Sequence, residues 1–334
     1  MSTGAVIDIH CHRECAEAAA LVRTEAERQG RAALQFGSEL TREVNRRQLD
    51  QVRPKMESIE VRLADMDAMG VDVQALSLAP YQLYNWVGGD LGLRAFRIIN
   101  DDLAAVVAGH PGRFVGLGAV PLQDVGAAVT ELKRCRIELG FPAIEIGTHI
   151  GEEEISSPRL ESFWEAVEEL DVTVFIHPTG FTEPRRFTDH YFLNTVGHPL
   201  EETLCAGRLI FDGVMERHPG LKLVFAHGGG FLAAYAGRFD HAYQARDDVG
   251  VGLPRLPSEY LSRLYFDTMV FEPDQLSFLI HKYGADHVLL GTDYPYDMGE
   301  TDPLGLLDEV GGLSTEDRDL IAGGNAARLL GLER

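Results

Sequence analysis

Leu221-Lys222-Leu223-Val224-Phe225-Ala226-His227-Gly228-Gly229-Gly230 is a short apolar run that stops on a histidine and three glycines. Pro219-Gly220 punctuates the chain just before it. A run that is almost continuously apolar, rather than alternating, is the pattern of a parallel strand buried on both faces. Seven more such runs occur: Val6–Ile9, Val71–Leu78, Phe114–Val120, Ala143–Thr148, Val172–His177, Leu264–Val270 and His287–Asp293. Amphipathic stretches separate them, among them Ile59–Met69, Leu91–Ala108, Val125–Leu139, Arg159–Leu170 and Pro199–Arg217. Eight strands alternating with helices predict an α/β fold of the (β/α)8 or TIM-barrel type. The competitor, a doubly wound open sheet, lacks support because no G-x-G-x-x-G follows the first run.

The 334 residues include 30 Lys+Arg against 52 Asp+Glu, a formal net charge of −22. Hydrophobic residues make up 45% and charged ones 25%, an ordinary globular mix with enough chain for a sizeable core. The acidic balance argues against nucleic acid or an anionic membrane surface as partner, since both need a basic patch. It leaves an anionic small molecule open, because a site can be locally cationic. No stretch approaches the ~18 apolar residues of a membrane span, and the first residues lack the pattern of a signal peptide. Cys11, Cys15, Cys135 and Cys205 are scattered with no C-x-x-C pair, so disulfides are not expected and the cytoplasm is the expected compartment.

One segment breaks the rhythm. Residues 13–55 form a charged, Ala- and Glu-rich excursion after the first strand. The expected organisation is one barrel domain over 1–334 with this helical insertion inside it. An insertion there lies over the C-terminal mouth of a barrel, so it reads as a lid, or equally as a solvated helical excursion.

Polar residues collect at the strand ends. The first strand closes Asp8-Ile9-His10-Cys11-His12, and alternation puts His10 and His12 on one face. The fifth closes on His177, the sixth on His227 and the eighth on Asp293. Any one of these alone reads best as a satisfied structural residue. Together they occupy the end of a barrel where active sites are built, whereas His110, His198, His218 and His281 fall elsewhere. His10, His12, His177 and Asp293 offer nitrogen and oxygen donors suited to a divalent transition metal. His227 then serves as an acid or base beside it. The three glycines permit close backbone approach and equally suit a tight strand-to-helix turn.

At these residues the chain resembles the amidohydrolase superfamily, within it the decarboxylase branch that includes the 2-amino-3-carboxymuconate-6-semialdehyde decarboxylases. The resemblance runs nearly end to end through IDIHCH, VRLADMDAMGVDVQALS (61–77), GRFVGLGAVPLQ (112–123), ELGFPAIEIGTHI (138–150), GVMERHPGLKLVFAHGGG (213–230), VLLGTDYPY (288–296) and GNAARLLGLER. It implies one zinc ion, with manganese as the alternative, held by His10, His12, His177 and Asp293, with His227 as general acid/base. It also implies a homodimer in which Arg238 reaches a neighbouring subunit's substrate carboxylate, and it aligns Arg53 with a second substrate-binding arginine. A surface salt bridge is the competing reading of Arg238. Two departures, Thr179 where that family has Trp after His-Pro and no Asn-Cys-Trp-Asp stretch before Val61, lie at the substrate mouth and leave the particular substrate open.

The expected activity is metal-dependent, non-oxidative decarboxylation of an unsaturated or aromatic carboxylic acid, as in aromatic catabolism. Hydrolysis of an ester, lactone, amide or C–C bond by the same centre is the alternative. A non-catalytic barrel serving as a scaffold is a third reading, and it predicts no bound metal.

Overall fold

The computed structural model describes residues 4–28, 37–180 and 184–332. Eight parallel strands follow in chain order around one sheet: β1 Ile7–Arg13, β2 Val73–Leu78, β3 Phe114–Ala119, β4 Ala143–Gly147, β5 Thr173–His177, β6 Lys222–Phe225, β7 Tyr265–Asp267 and β8 Val288–Leu289. The sheet closes on itself. Ile9 N–H donates to Leu290 O at 2.9 Å, Asp293 N–H to His10 O at 2.8 Å and His12 N–H to Tyr294 O at 2.8 Å, joining the last strand to the first. The (β/α)8 barrel expected from the sequence is therefore the fold.

The strand interiors explain their residues. Ile7, Ala75, Leu117, Ala143, Phe175, Val224 and Leu289 pack into one buried cluster with Ala326, Leu329 and Leu330 from the C-terminal helix Asn325–Leu329 and the turn after it. The hydroxyl of Thr173, which opens β5, donates to Leu329 O at 3.0 Å. The C-terminal helix thus plugs the barrel at the starts of the strands. That leaves the other end for chemistry.

Helices cover the outside where the pattern puts them. The helix Ile59–Met69 starts on Ser58, whose side chain accepts from Val61 N–H, and stops on Gly70 in the left-handed region. Its Arg62 is fully buried. That guanidinium donates to Gln74 Oε1 at 2.9 Å and to His12 O, and it stacks 4.7 Å from the Tyr294 ring centre. One side chain thereby ties the helix to β1, β2 and the loop after β8.

Two boundaries differ from the sequence reading. The single helix expected over 199–217 is two, His198–Phe211 and Val214–Arg217, because Gly213 takes a left-handed φ of 78° between them. The run 287–293 keeps strand pairing with β7 only through Leu289, beyond which its backbone bonds turn to β1. All four cysteines are free and buried. No helix among the described residues is long and apolar enough to cross a membrane.

Of the excursion over 13–55, residues 29–36 lie outside the described residues. The rest forms the helices Ala16–Arg28 and Glu39–Glu57, the second capped by Ser38. Ser38 N–H donates to Thr188 O at 2.5 Å and Gln48 pairs with Asp297. Both partners belong to loops that leave the C-terminal ends of strands, so the second helix lies across that end of the barrel.

Candidate active site

β1 carries a register shift between Asp8 and Cys11, where it holds one residue more than β2. Such a bulge re-aims side chains near a site. His10 and His12 both turn inward there, fully buried. The Nδ1–H of His10 donates to Asp267 Oδ2 at 2.6 Å, and that of His12 donates to Leu78 O at 2.9 Å. Each ring therefore keeps its Nε2 lone pair for the interior, and the two Nε2 atoms lie 3.1 Å apart.

His177 ends β5 and completes the group, its ring centre 5.0 Å from that of His10 and 4.8 Å from that of His12. Asp293 follows β8 with a left-handed φ of 53°. Its Oδ1 lies 3.3 Å from Nε2 of both His10 and His12. The donor atoms of His10, His12, His177 and Asp293 all lie within 4.8 Å of one another. Three imidazoles and one carboxylate, all buried, face a common point.

The group fits a divalent ion. Both ring nitrogens of His177 and Asp293 Oδ1 are buried without a hydrogen-bond partner among the described residues, and a bound cation would offset that cost at Asp293 Oδ1 and at one His177 nitrogen. Burial and the neighbouring His12, His10 and His227 hold His177 well below its ordinary pKa, so it stands neutral and ready to donate a lone pair. The carboxylate behind His10 fixes and polarises that ring as outer partners of metal-bound histidines do.

His227 follows β6. Backbone φ is 49° at His227 and stays positive through Gly228, Gly229 and Gly230. At Gly230 a Cβ would lie 2.1 Å from Pro199 O, so the turn requires glycine there. The resulting position puts His227 Nε2 3.9 Å from Asp293 Oδ2 and its ring 5.2 Å from those of His10 and His177. Its Nδ1 meets Glu202 Oε1 at 2.8 Å. Burial disfavours the charged ring, but the Glu202 and Asp293 carboxylates outweigh it and hold His227 well above its ordinary pKa. A cation among the neighbouring donors would act in the opposite sense.

A cavity of about 330 Å³ opens beside this group, lined by His227, Asp293, Asn194, His198, Met269 and Phe271 among others. Among the described residues, no lysine or arginine lines it. Arg238 is exposed on the helix Leu232–Ala245 and makes no ion pair among the described residues. Arg53 is exposed on the second excursion helix, and its ion pair among the described residues is with Asp50, at 3.8 Å.

Three contributors, Asp267, His198 and Glu202, lie outside the set expected from the sequence. Asp267 ends β7, and its carboxylate serves His10 while Oδ1 accepts from Gly228 N–H at 2.9 Å. An acid closing an apolar run was the same signal that singled out Asp293. His198 was set aside as remote, yet it lines the cavity and stacks on His227. Neither it nor Glu202 lies at a strand end, so only the helix packing could reveal them.

The amidohydrolase family matches residues 7–332, and the chain belongs to it. A 2-amino-3-carboxymuconate-6-semialdehyde decarboxylase of Dictyostelium discoideum is 36% identical over 275 residues, covering 82% of this chain and 77% of that one. The crystal structure of 5-carboxyvanillate decarboxylase from Sphingomonas paucimobilis superposes with a TM-score of 0.86 at 25% identity, over 98% of this chain and 99% of that one. A dihydroxybenzoic acid decarboxylase from Polaromonas sp. JS666, with bound manganese and the inhibitor 2-nitroresorcinol, superposes at 0.83 with 26% identity, covering 99% and 98%.

Proposed function

We propose that this chain is a metal-dependent carboxy-lyase that removes CO2, without oxidation, from an unsaturated or aromatic carboxylic acid of aromatic catabolism. The observation that carries the reading is the buried His10–His12–His177–Asp293 group facing a cavity with His227 at its wall. The decarboxylases to which the chain is similar support it. A divalent ion bound by those four residues supplies Lewis acidity and lowers the pKa of bound water toward ~7. Zinc is our assignment, and the manganese in the Polaromonas enzyme supports that metal as the alternative.

His227 delivers a proton from Nε2 to the carbon that bears the carboxylate. The C–C bond then breaks, its electron pair stays on that carbon, CO2 leaves and the conjugated system is restored. Met269 and Phe271 give the ring or polyene an apolar wall, while Asn194 and His198 offer neutral polar contacts. Asp293 faces both the metal group and His227, so it holds the proton carrier beside the reacting carbon.

We assign Arg238, exposed and in no ion pair among the described residues, to a homodimer in which it grips the carboxylate of the partner's substrate by paired hydrogen bonds. Phe231 and Tyr235, both partly exposed, precede it at helical spacing on the same side. Arg53 is assigned as a second carboxylate contact. The excursion over 13–55 is assigned as a lid on a single barrel domain, supported by the bonds from Ser38 and Gln48 to the mouth loops. The cytoplasm is the proposed compartment.

The test is product analysis on a panel of muconates, hydroxybenzoates and their amino analogues. Release of one CO2 per acid consumed, with no water oxygen entering a cleaved fragment, is expected. Cleavage with oxygen from water and no CO2 would establish the hydrolase instead.

A further inference from the structure

The helix His198–Phe211 presents two residues to His227 from one face. Positions 198 and 202 are four apart, one above the other on a helix. The His198 ring lies along the His227 ring, centres 6.2 Å apart and planes 29° from parallel. Glu202 Oε1 stands 2.8 Å from His227 Nδ1.

Glu202 is fully buried, and its other oxygen has no hydrogen-bond partner among the described residues. It makes no ion pair with any described lysine or arginine. A carboxyl buried this way is costly unless its one partner uses it. That partner is His227.

The helix and the turn are also locked together. Pro199 O packs against Gly230 so closely that no Cβ fits, and Phe231 N–H donates to the Thr203 hydroxyl at 2.8 Å. The Glu202 carboxyl therefore cannot drift from the ring without moving the whole turn. At the far side of the imidazole, Nε2 points toward Asp293 Oδ2.

We propose that Glu202 is the positioning residue for His227: by accepting the Nδ1 hydrogen it selects the tautomer whose Nε2 lone pair faces the metal group and the cavity. A neutral imidazole has one N–H and one lone pair, and the acceptor beside one nitrogen decides which is which. With Nδ1–H committed to Glu202, every proton that His227 gives or takes passes through Nε2. The Nδ1 proton stays where it is throughout. His198 keeps the ring plane from rotating off that line.

The inference rests on His227 being the proton carrier, but its test does not need turnover. The long-range 1H–15N spectrum of 15N-histidine-labelled, metal-loaded protein is recorded up to the pH at which His227 is neutral, with H227N identifying its signals. In the native chain His227 is expected as the Nδ1–H form. In E202L, which keeps the buried volume and removes the acceptor, the Nε2–H form is expected to appear, with metal content and Tm retained. E202A is the second variant should E202L fail to fold. The corresponding loss of kcat is about 10²-fold with KM within a few-fold.

A native His227 in the Nε2–H form, or an unchanged Nδ1–H form in the folded variant, would overturn the proposal. A protein that shows the tautomer switch but releases no CO2 from any acid would refute the decarboxylase reading and leave this one standing.

Discussion

At the scale of single residues, the four donors differ in how much the protein itself does for them. His10 and His12 have outer partners that fix their tautomers, Asp267 and the Leu78 carbonyl. His177 has no such partner among the described residues, and a cation would take up the lone pair of one of its buried nitrogens. Removing it is therefore expected to abolish metal retention: His177→Ala should purify with far less than one equivalent by elemental analysis, and full stoichiometry would count against the ligand set. His198 is pushed down to about 3, from an ordinary 6.5, by burial and then by His227. A folded-state pKa below the unfolded one favours folding above pH 6.5, and that contribution is lost as pH falls toward 3. His198→Phe is expected to flatten the fall of Tm on the acid side relative to the native chain. A parallel fall in both proteins would show that His198 takes up its proton as easily folded as unfolded. All four donors and His227 were legible in the sequence because each closes an apolar run. Asp267 closed such a run too, but lay inside the interval read as strand.

At the scale of elements, the strand count was legible because parallel strands buried on both faces have no polar side to blur them. Their ends were less so. The eighth run continues apolar past Leu289, and only the bonds from Leu290, Thr292 and Asp293 to β1 show where pairing changes partner. The break at Gly213 was invisible because Asp212-Gly213 sits within an otherwise amphipathic stretch. The glycine-rich turn after β6 carries a sharper consequence. Gly230 has φ of 63°, and a Cβ would meet Pro199 O at 2.1 Å. Strain of this kind costs on the order of 1–3 kcal/mol. Gly230→Ala is expected to lower Tm by several degrees and to slow turnover, because the turn that sets His227 must shift. A variant with native Tm and native kcat would show that the turn has slack.

At the scale of the whole molecule, candidate metal donors spread from residue 10 to residue 293 make both ends of the chain necessary to one site. The formal charge of the chain is −22, and among the described residues neither lysine nor arginine lines the cavity. An acid bound there meets charge from the metal and, in the dimer we propose, from the partner's arginine. Mixing inactive Arg238→Ala with inactive His227→Ala is expected to restore part of the activity, since each hybrid dimer would contain one intact site. No recovery at any ratio would place Arg238's action within its own subunit. Arrangement between copies was not legible from residue patterns, because an exposed arginine on a helix has the same signature whether it faces solvent or a partner.

The central claim is that the three histidines and Asp293 hold the metal on which CO2 release depends. It is tested most directly by measuring CO2 from the acid panel with the native protein, after stripping with a chelator, and after reloading with zinc or manganese. Stripping is expected to abolish CO2 release, and one ion per chain to restore it. Release that continues unchanged in the stripped protein would contradict the claim.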